Sequence, residues 1–202
     1  MFDDLLRGVK DRLLAPIARM LGSTCPPALV SILALAAGVG AAWLAVEGSY
    51  PWALAAWLLN RVLDGLDGAL ARAQGRASDL GGYLDILCDF AVYALVPIGL
   101  VAGAPAPEAW RALAWLLASF YLNAASWMYL AAVLERRGAG SPAPAKLTSV
   151  VMPAGLVAGT ETIVFYALFL LFPGQLVPLF LLMAGLVLVG VAQRAVWAAR
   201  TL

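Results

Sequence analysis

Six apolar runs divide this chain near residues 27–46, 52–73, 79–103, 108–134, 148–172 and 175–198. Each approaches or exceeds the roughly 20 residues a helix needs to cross a hydrocarbon core. The breaks between them read G-S-Y-P, Q-G-R-A-S, A-G-A-P-A-P-E, R-R-G-A-G-S-P-A-P-A-K and F-P-G-Q, all turn chemistry. Hydrophobic residues make up 63% of the 202 and charged residues 12%, against about half and a quarter in a soluble domain. The expectation is an all-α integral membrane protein: one domain over residues 23–202, with six transmembrane helices.

Residues 1–22 have a different character. Phe2, Leu5, Leu6, Val9, Leu13 and Ile17 recur with helical spacing, while Asp3, Asp4, Arg7, Lys10, Asp11, Arg12 and Arg19 take other positions. That pattern predicts an amphipathic helix in the membrane interface, and the absence of an uninterrupted apolar core excludes a signal peptide. The net charge of +1 gives no field that would draw nucleic acid. Cys25 and Cys88 sit in or beside apolar runs and read as small hydrophobes, not as a bridge. With the N-terminus in the cytoplasm, eleven basic residues fall on the inner side and only Arg111 on the outer, while Arg61 lies inside the second run. Both termini are thereby expected to face the cytoplasm.

Against this apolar background, the stretch 64–89 reads D-G-L-D-G-A-L-A-R-A-Q-G-R-A-S-D-L-G-G-Y-L-D-I-L-C-D. Asp64, Asp67, Gly68, Ala71 and Arg72 share one helical face, and Gly81, Asp85 and Asp89 share another. If the two helices form a hairpin, the acidic faces can point at each other. Four converging carboxylates in an apolar setting repel and require compensation. The chain has no histidine, so the matching counter-ion is a hard divalent cation: magnesium, manganese or calcium fits, and zinc does not. Asp64 lies twelve residues past Trp52, about 18 Å down the helix, which puts the site below the inner headgroups.

Paired divalent ions on shared carboxylates suit displacement at phosphorus. Gly68, Ala71 and Gly81 remove bulk where a phosphate or a flat base can approach the backbone, and Arg72 is placed to meet phosphate charge. Asp89, last on its face, is the candidate to accept the proton of an incoming hydroxyl.

The pattern D-x-x-D-G-x-x-A-R-x8-G-x3-D-x3-D resembles the signature of the CDP-alcohol phosphotransferase (phosphatidyltransferase) family at every fixed position: Asp64, Asp67, Gly68, Ala71, Arg72, Gly81, Asp85 and Asp89. The resemblance implies metal-dependent transfer of a phosphatidyl group from CDP-diacylglycerol to a polar alcohol, with CMP released. It implies that Asp64, Asp67 and Asp85 hold two Mg2+ or Mn2+ ions, with Asp89 contributing and serving as base, and that Gly68, Ala71 and Arg72 line the nucleotide site. It further implies a homodimer in a bacterial inner membrane, with the active site facing the cytoplasm. Many members carry Pro-Asn with a threonine three residues after the asparagine at the first span. Here the sequence is Pro26-Pro27-Ala28-Leu29-Val30-Ser31, and Ser31 is the candidate substitute on the nucleotide.

Further candidates lie outside the signature. Asn60, one turn before Asp64, is placed to support a ligand, meet the nucleotide or bond a neighbouring helix. Glu161 is placed to line an acceptor pocket with Thr160 and Thr162, or to pair with Arg61 or Arg194. Arg136, Arg137 and Lys146 suit an anionic acceptor or simply set topology. Two other functions compete: transfer of a CDP-activated headgroup to diacylglycerol, and a divalent-cation channel or transporter. The last predicts acids spread through the membrane depth, whereas these cluster on the inner half.

Overall fold

The computed structural model describes residues 14, 16–18, 20–22, 25–137 and 156–202. The described residues form helices joined by short turns, with no strand among them. In chain order these are α1 (Pro27–Val46), α2 (Tyr50–Ala73), α3 (Asp79–Gly103), α4 (Pro107–Arg136), α5 (Gly159–Leu171) and, after a 3-10 turn at Pro173–Gln175, α6 (Leu176–Thr201).

The sequence signals account for the boundaries. Proline stands in the first turn of α1, α2 and α4, where its missing N–H is no loss and its fixed φ suits the helix. Gly75, at φ +64°, ends α2 in the left-handed conformation, and Arg76 N–H closes back on Ala71 O at 2.9 Å. Ser78 then caps α3 by accepting the Gly81 N–H at 3.1 Å.

Each predicted run lies on a helix, with bounds shifted by a few residues. The fifth, predicted over 148–172, is described as a helix only from Gly159, because 148–155 lie outside the described residues. By length and composition four stretches are able to cross a membrane: Pro27–Val46, Asp79–Gly103, Pro107–Arg136 and Pro173–Thr201. α5 has 13 residues, and α2, though 24 residues long, carries Arg61, Asp64, Asp67 and Arg72. Of the predicted leader helix, residues 1–13, 15 and 19 lie outside the described residues. The rest of it is helical up to Leu21, with Leu14 and Ala18 buried and Met20 exposed. Its end is tied to α2, since Gln74 Nε2 donates to Gly22 O at 2.6 Å and Cys25 O at 2.9 Å.

Packing centres on α1. Its buried face is small (Ala34, Gly38, Ala41, Ala42 and Ala45), and both α2 and α3 pack against it, while α2 and α3 make little contact with each other. Small side chains let membrane helices approach at backbone distance. A Cβ on Gly103 of α3 would lie 2.6 Å from Val46 O, and one on Gly99 would strike Ala42 O. α4 packs along α6, and α5 lies mainly against α2. Trp57, Val92, Val96, Leu100, Leu116, Tyr166, Phe169, Phe180 and Met183 fill the main core. A smaller cluster, Leu14, Ala18, Val30, Leu66, Ala69 and Leu70, seats the leader on the base of α1 and α2.

Candidate active site

The acids lie on α2 and α3, both of which pack against α1. Asp67 is the most enclosed, at 7% exposure. Ser31 Oγ, on α1, donates to its Oδ2 at 2.6 Å and lies 3.3 Å from Pro27 O. Asp64 and Asp89 are partly buried, and Asp85 is exposed near the start of α3. The four carboxylates lie in one neighbourhood around Cys88. They do not close on a single point. Among the described residues, no three acidic or thiol side chains are drawn tightly enough to ligate one ion. The expected hairpin is present, but its two arms are held apart on α1. Mutual repulsion of the acids opposes closer approach.

A cation already bridges the gap. Arg61, buried at 8% exposure, sends Nη2 from α2 to Asp89 Oδ1 on α3 at 2.8 Å and Nη1 to the Tyr93 hydroxyl at 3.0 Å. The same Nη1 lies 3.8 Å from Asp64 Oδ2. The guanidinium carbon sits 4.9 Å from the Trp57 ring centroid and 5.2 Å from that of Tyr93, within cation–π range. Trp57 stacks on Tyr166 at 4.7 Å, and the Tyr166 hydroxyl donates to Tyr93 O. Arg61, which holds Asp89, therefore rests on an aromatic floor shared by α2, α3 and α5.

The remaining sequence candidates separate into groups. Gly68 and Ala71 are half-buried on the acidic face of α2, with Arg72 exposed beside them. A Cβ on Gly68 would lie 3.3 Å from Arg72 Nη1. Gly81 is exposed at the start of α3. Asn60 makes the interhelical bond, Nδ2 donating to Ala34 O at 2.7 Å, and accepts from Arg61 Nε at 2.7 Å. Glu161 pairs with neither Arg61 nor Arg194; its Oε2 accepts the Ala158 N–H at 3.1 Å, and Thr162 Oγ1 donates to Ala158 O at 2.9 Å. Both therefore serve the start of α5. Arg136 and Arg137 are exposed, with Arg137 Nη1 donating to Leu202 O at 2.8 Å. Lys146 lies outside the described residues.

Two arginines gain a role that the pattern did not assign. Arg61 holds Asp89, and Arg194 is buried beside a cleft of about 200 Å³ between α4 and α6. Arg194 Nη1 donates to Asn123 Oδ1 and Ser126 Oγ, each at 3.2 Å, and among the described residues its Nε has no partner. The available signal was a lone basic residue inside an apolar run, a position that demands a partner or a ligand.

The sequence profile of the family described as CDP-alcohol phosphatidyltransferase matches residues 24–192, which hold every acid of the site. The chain belongs to that family. Inner membrane protein YnjF of Escherichia coli (strain K12) is 42% identical over 144 residues, 71% of this chain and 68% of that protein. The bifunctional IPC transferase and DIPP synthase of Thermococcus kodakarensis is 35% identical over 83 residues, 41% of this chain but only 19% of that protein. The crystal structure of Mycobacterium tuberculosis phosphatidylinositol phosphate synthase (PgsA1) with CDP-DAG bound superposes with a TM-score of 0.68. It is 23% identical, with 91% of this chain and 92% of that one covered, and shows that the fold is shared. As a CDP-alcohol phosphatidyltransferase, the chain is a transferase of phospholipid synthesis that draws on a CDP-alcohol.

Proposed function

We propose that the protein transfers the phosphatidyl group of CDP-diacylglycerol to a polar alcohol at the cytoplasmic side of an inner membrane, releasing CMP, and that it works as a homodimer. The observation carrying this reading is the complete acidic signature on two helices that share α1 as a common support, with Asp67 fixed by Ser31. The CDP-DAG complex of PgsA1, a protein of the same fold, supports CDP-diacylglycerol as donor.

The donor set is all carboxylate oxygen, which fits Mg2+ or Mn2+. Asp64, Asp67 and Asp85 would hold the ions, with Asp89 alongside. Such ions, when bound, supply Lewis-acid polarisation of the phosphates and balance the charge of the departing diphosphate oxygen. Asp89 takes the proton of the acceptor hydroxyl as that oxygen bonds to the phosphatidyl phosphorus. The bond from this phosphorus to the bridging oxygen breaks, and CMP leaves with the electron pair. Arg72 meets phosphate charge, and Gly68, Ala71 and Gly81 let the nucleotide lie against backbone.

Arg194, beside the cleft between α4 and α6, is the proposed contact for an alcohol that itself carries a phosphate. It is a buried cation beside a cleft, and among the described residues its Nε has no partner and no acid pairs with it. Arg136 and Arg137 add positive charge at the end of α4.

The test is purified protein in detergent with CDP-diacylglycerol, Mg2+ or Mn2+, and a panel of alcohols with and without a phosphate. Metal-dependent CMP release is expected, strongest with a phosphorylated acceptor. No CMP release with any acceptor would remove the reading. Asp89→Asn should abolish turnover while keeping CDP-diacylglycerol binding, measured by tritiated-ligand retention.

A further inference from the structure

Arg61 ties together two helices that otherwise barely touch. Each nitrogen of its guanidinium has a partner: Nη2 on Asp89 Oδ1, Nη1 on the Tyr93 hydroxyl, Nε on Asn60 Oδ1. Asn60 is anchored in turn on Ala34 O of α1. The rings of Trp57 and Tyr93 lie 4.9 and 5.2 Å from its guanidinium carbon. A planar fork that bonds along its edges and stacks on aromatic rings is what arginine offers and lysine does not. The fork holds one oxygen of Asp89. The other, Oδ2, meets only the Tyr93 hydroxyl among the described residues, at 3.5 Å.

Resting on the phosphatidyl-transfer reading, we propose that Arg61 is the positioning residue of the reaction. By anchoring Asp89 Oδ1 it keeps that carboxylate on the α3 side of the gap, out of the ligand set formed by Asp64, Asp67 and Asp85. Oδ2 is then the oxygen that accepts the hydroxyl proton. A base that swung across to ligate an ion would have its lone pairs committed, and the hydroxyl would lose its proton acceptor. Arg61 thus divides four chemically identical acids into three ligands and one base.

The experiment compares the wild-type chain with Arg61→Lys, Arg61→Ala and Tyr93→Phe, all as full-length protein in micelles. Folding is followed by size-exclusion chromatography and thermal melting, Mn2+ binding without substrate by electron paramagnetic resonance, and CMP release by steady-state kinetics. Loss of a group that orients a reacting residue costs about 10- to 100-fold. Both Arg61 variants are therefore expected to lose about that much kcat, with KM for CDP-diacylglycerol within about threefold of wild type. Their Mn2+ affinity should equal or exceed wild type, because Asp89 is released toward the ions. Lysine should recover more kcat than alanine, and Tyr93→Phe should lose less than either. Unchanged kcat overturns the proposal. So does a parallel fall of kcat and Mn2+ affinity, or unfolding of both Arg61 variants, either of which makes Arg61 a structural tie. Absence of CMP release by the wild type would instead remove the transfer reading beneath it.

Discussion

Asp67 shows how a neighbour on another helix orients a carboxylate. Its side chain is nearly enclosed, and the hydroxyl of Ser31 reaches it from α1 across 2.6 Å, the short distance of a charge-assisted bond. That bond orients Asp67, which the proposed function makes a metal ligand, before any ion would arrive. Partners that orient ligands in this way are worth about 10- to 100-fold in metal affinity. Ser31→Ala should therefore weaken Mn2+ binding by about that factor, read by electron paramagnetic resonance titration, with melting temperature nearly unchanged. Unaltered Mn2+ affinity would free Ser31 for the nucleotide role that its position in the sequence suggested. At this scale the acids were legible because charge in an apolar run is rare and expensive. Their partners were not. Ser31 and Asp67 are 36 positions apart and Arg61 and Asp89 are 28 apart, and spacing along one helix says nothing about what stands across from it. Asn60 and Glu161 teach the same lesson in reverse. Each is polar in an apolar run, yet one bonds a neighbouring helix and the other caps its own.

At the level of elements, hydropathy and turn residues located the helices, because a lipid-facing helix announces itself by length alone. They did not identify α1 as the support on which both acidic helices rest. The signal was present as small residues at Ala34, Gly38, Ala41, Ala42 and Ala45, matched by Gly99 and Gly103 on α3, but an alanine-rich run reads equally well as plain apolar filler. The consequence is testable. A methyl group at Gly99 meets backbone Ala42 O, which cannot rotate away, whereas one at Gly40 meets nothing within 4 Å. Gly99→Ala should lower the melting temperature in detergent, by the roughly 1–3 kcal/mol typical of overpacking. It should also reduce activity, because α3 carries Asp85 and Asp89. Gly40→Ala should leave both near wild type or raise stability slightly, as alanine favours helix by about 1 kcal/mol over glycine. Equal melting temperatures for the two variants would mean that α1 and α3 are not in backbone contact.

For the whole molecule, the ends of the helices decide which compartment supplies the substrates. Asp64, Asp89 and Arg194 all lie within about three turns of the ends near Ala73, Asp79 and Thr201. In an alternating bundle these ends share one side of the membrane. Basic residues gather at the same ends: Arg72 and Arg76 at the α2–α3 turn, Arg136 and Arg137 at the end of α4, and Arg200 at the end of α6. The opposite ends near Val46, Tyr50, Gly103 and Pro107 hold only Arg111 close by. Under the proposed function, retention of positive charge on the cytoplasmic side would orient the bundle with its acids inward, the side from which the polar acceptor would come. The arrangement predicts two reporter outcomes that must agree. Green fluorescent protein fused after Leu202 should fluoresce, since it matures in the cytoplasm. Alkaline phosphatase fused after Ala106, in the α3–α4 turn, should be active, since it needs the oxidising outer compartment. The reversed pair, a dark C-terminal fusion with an inactive phosphatase, would turn the acids outward. It would cut them off from cytosolic nucleotide and leave the phosphatidyl-transfer chemistry without a donor, whatever the geometry of the four aspartates.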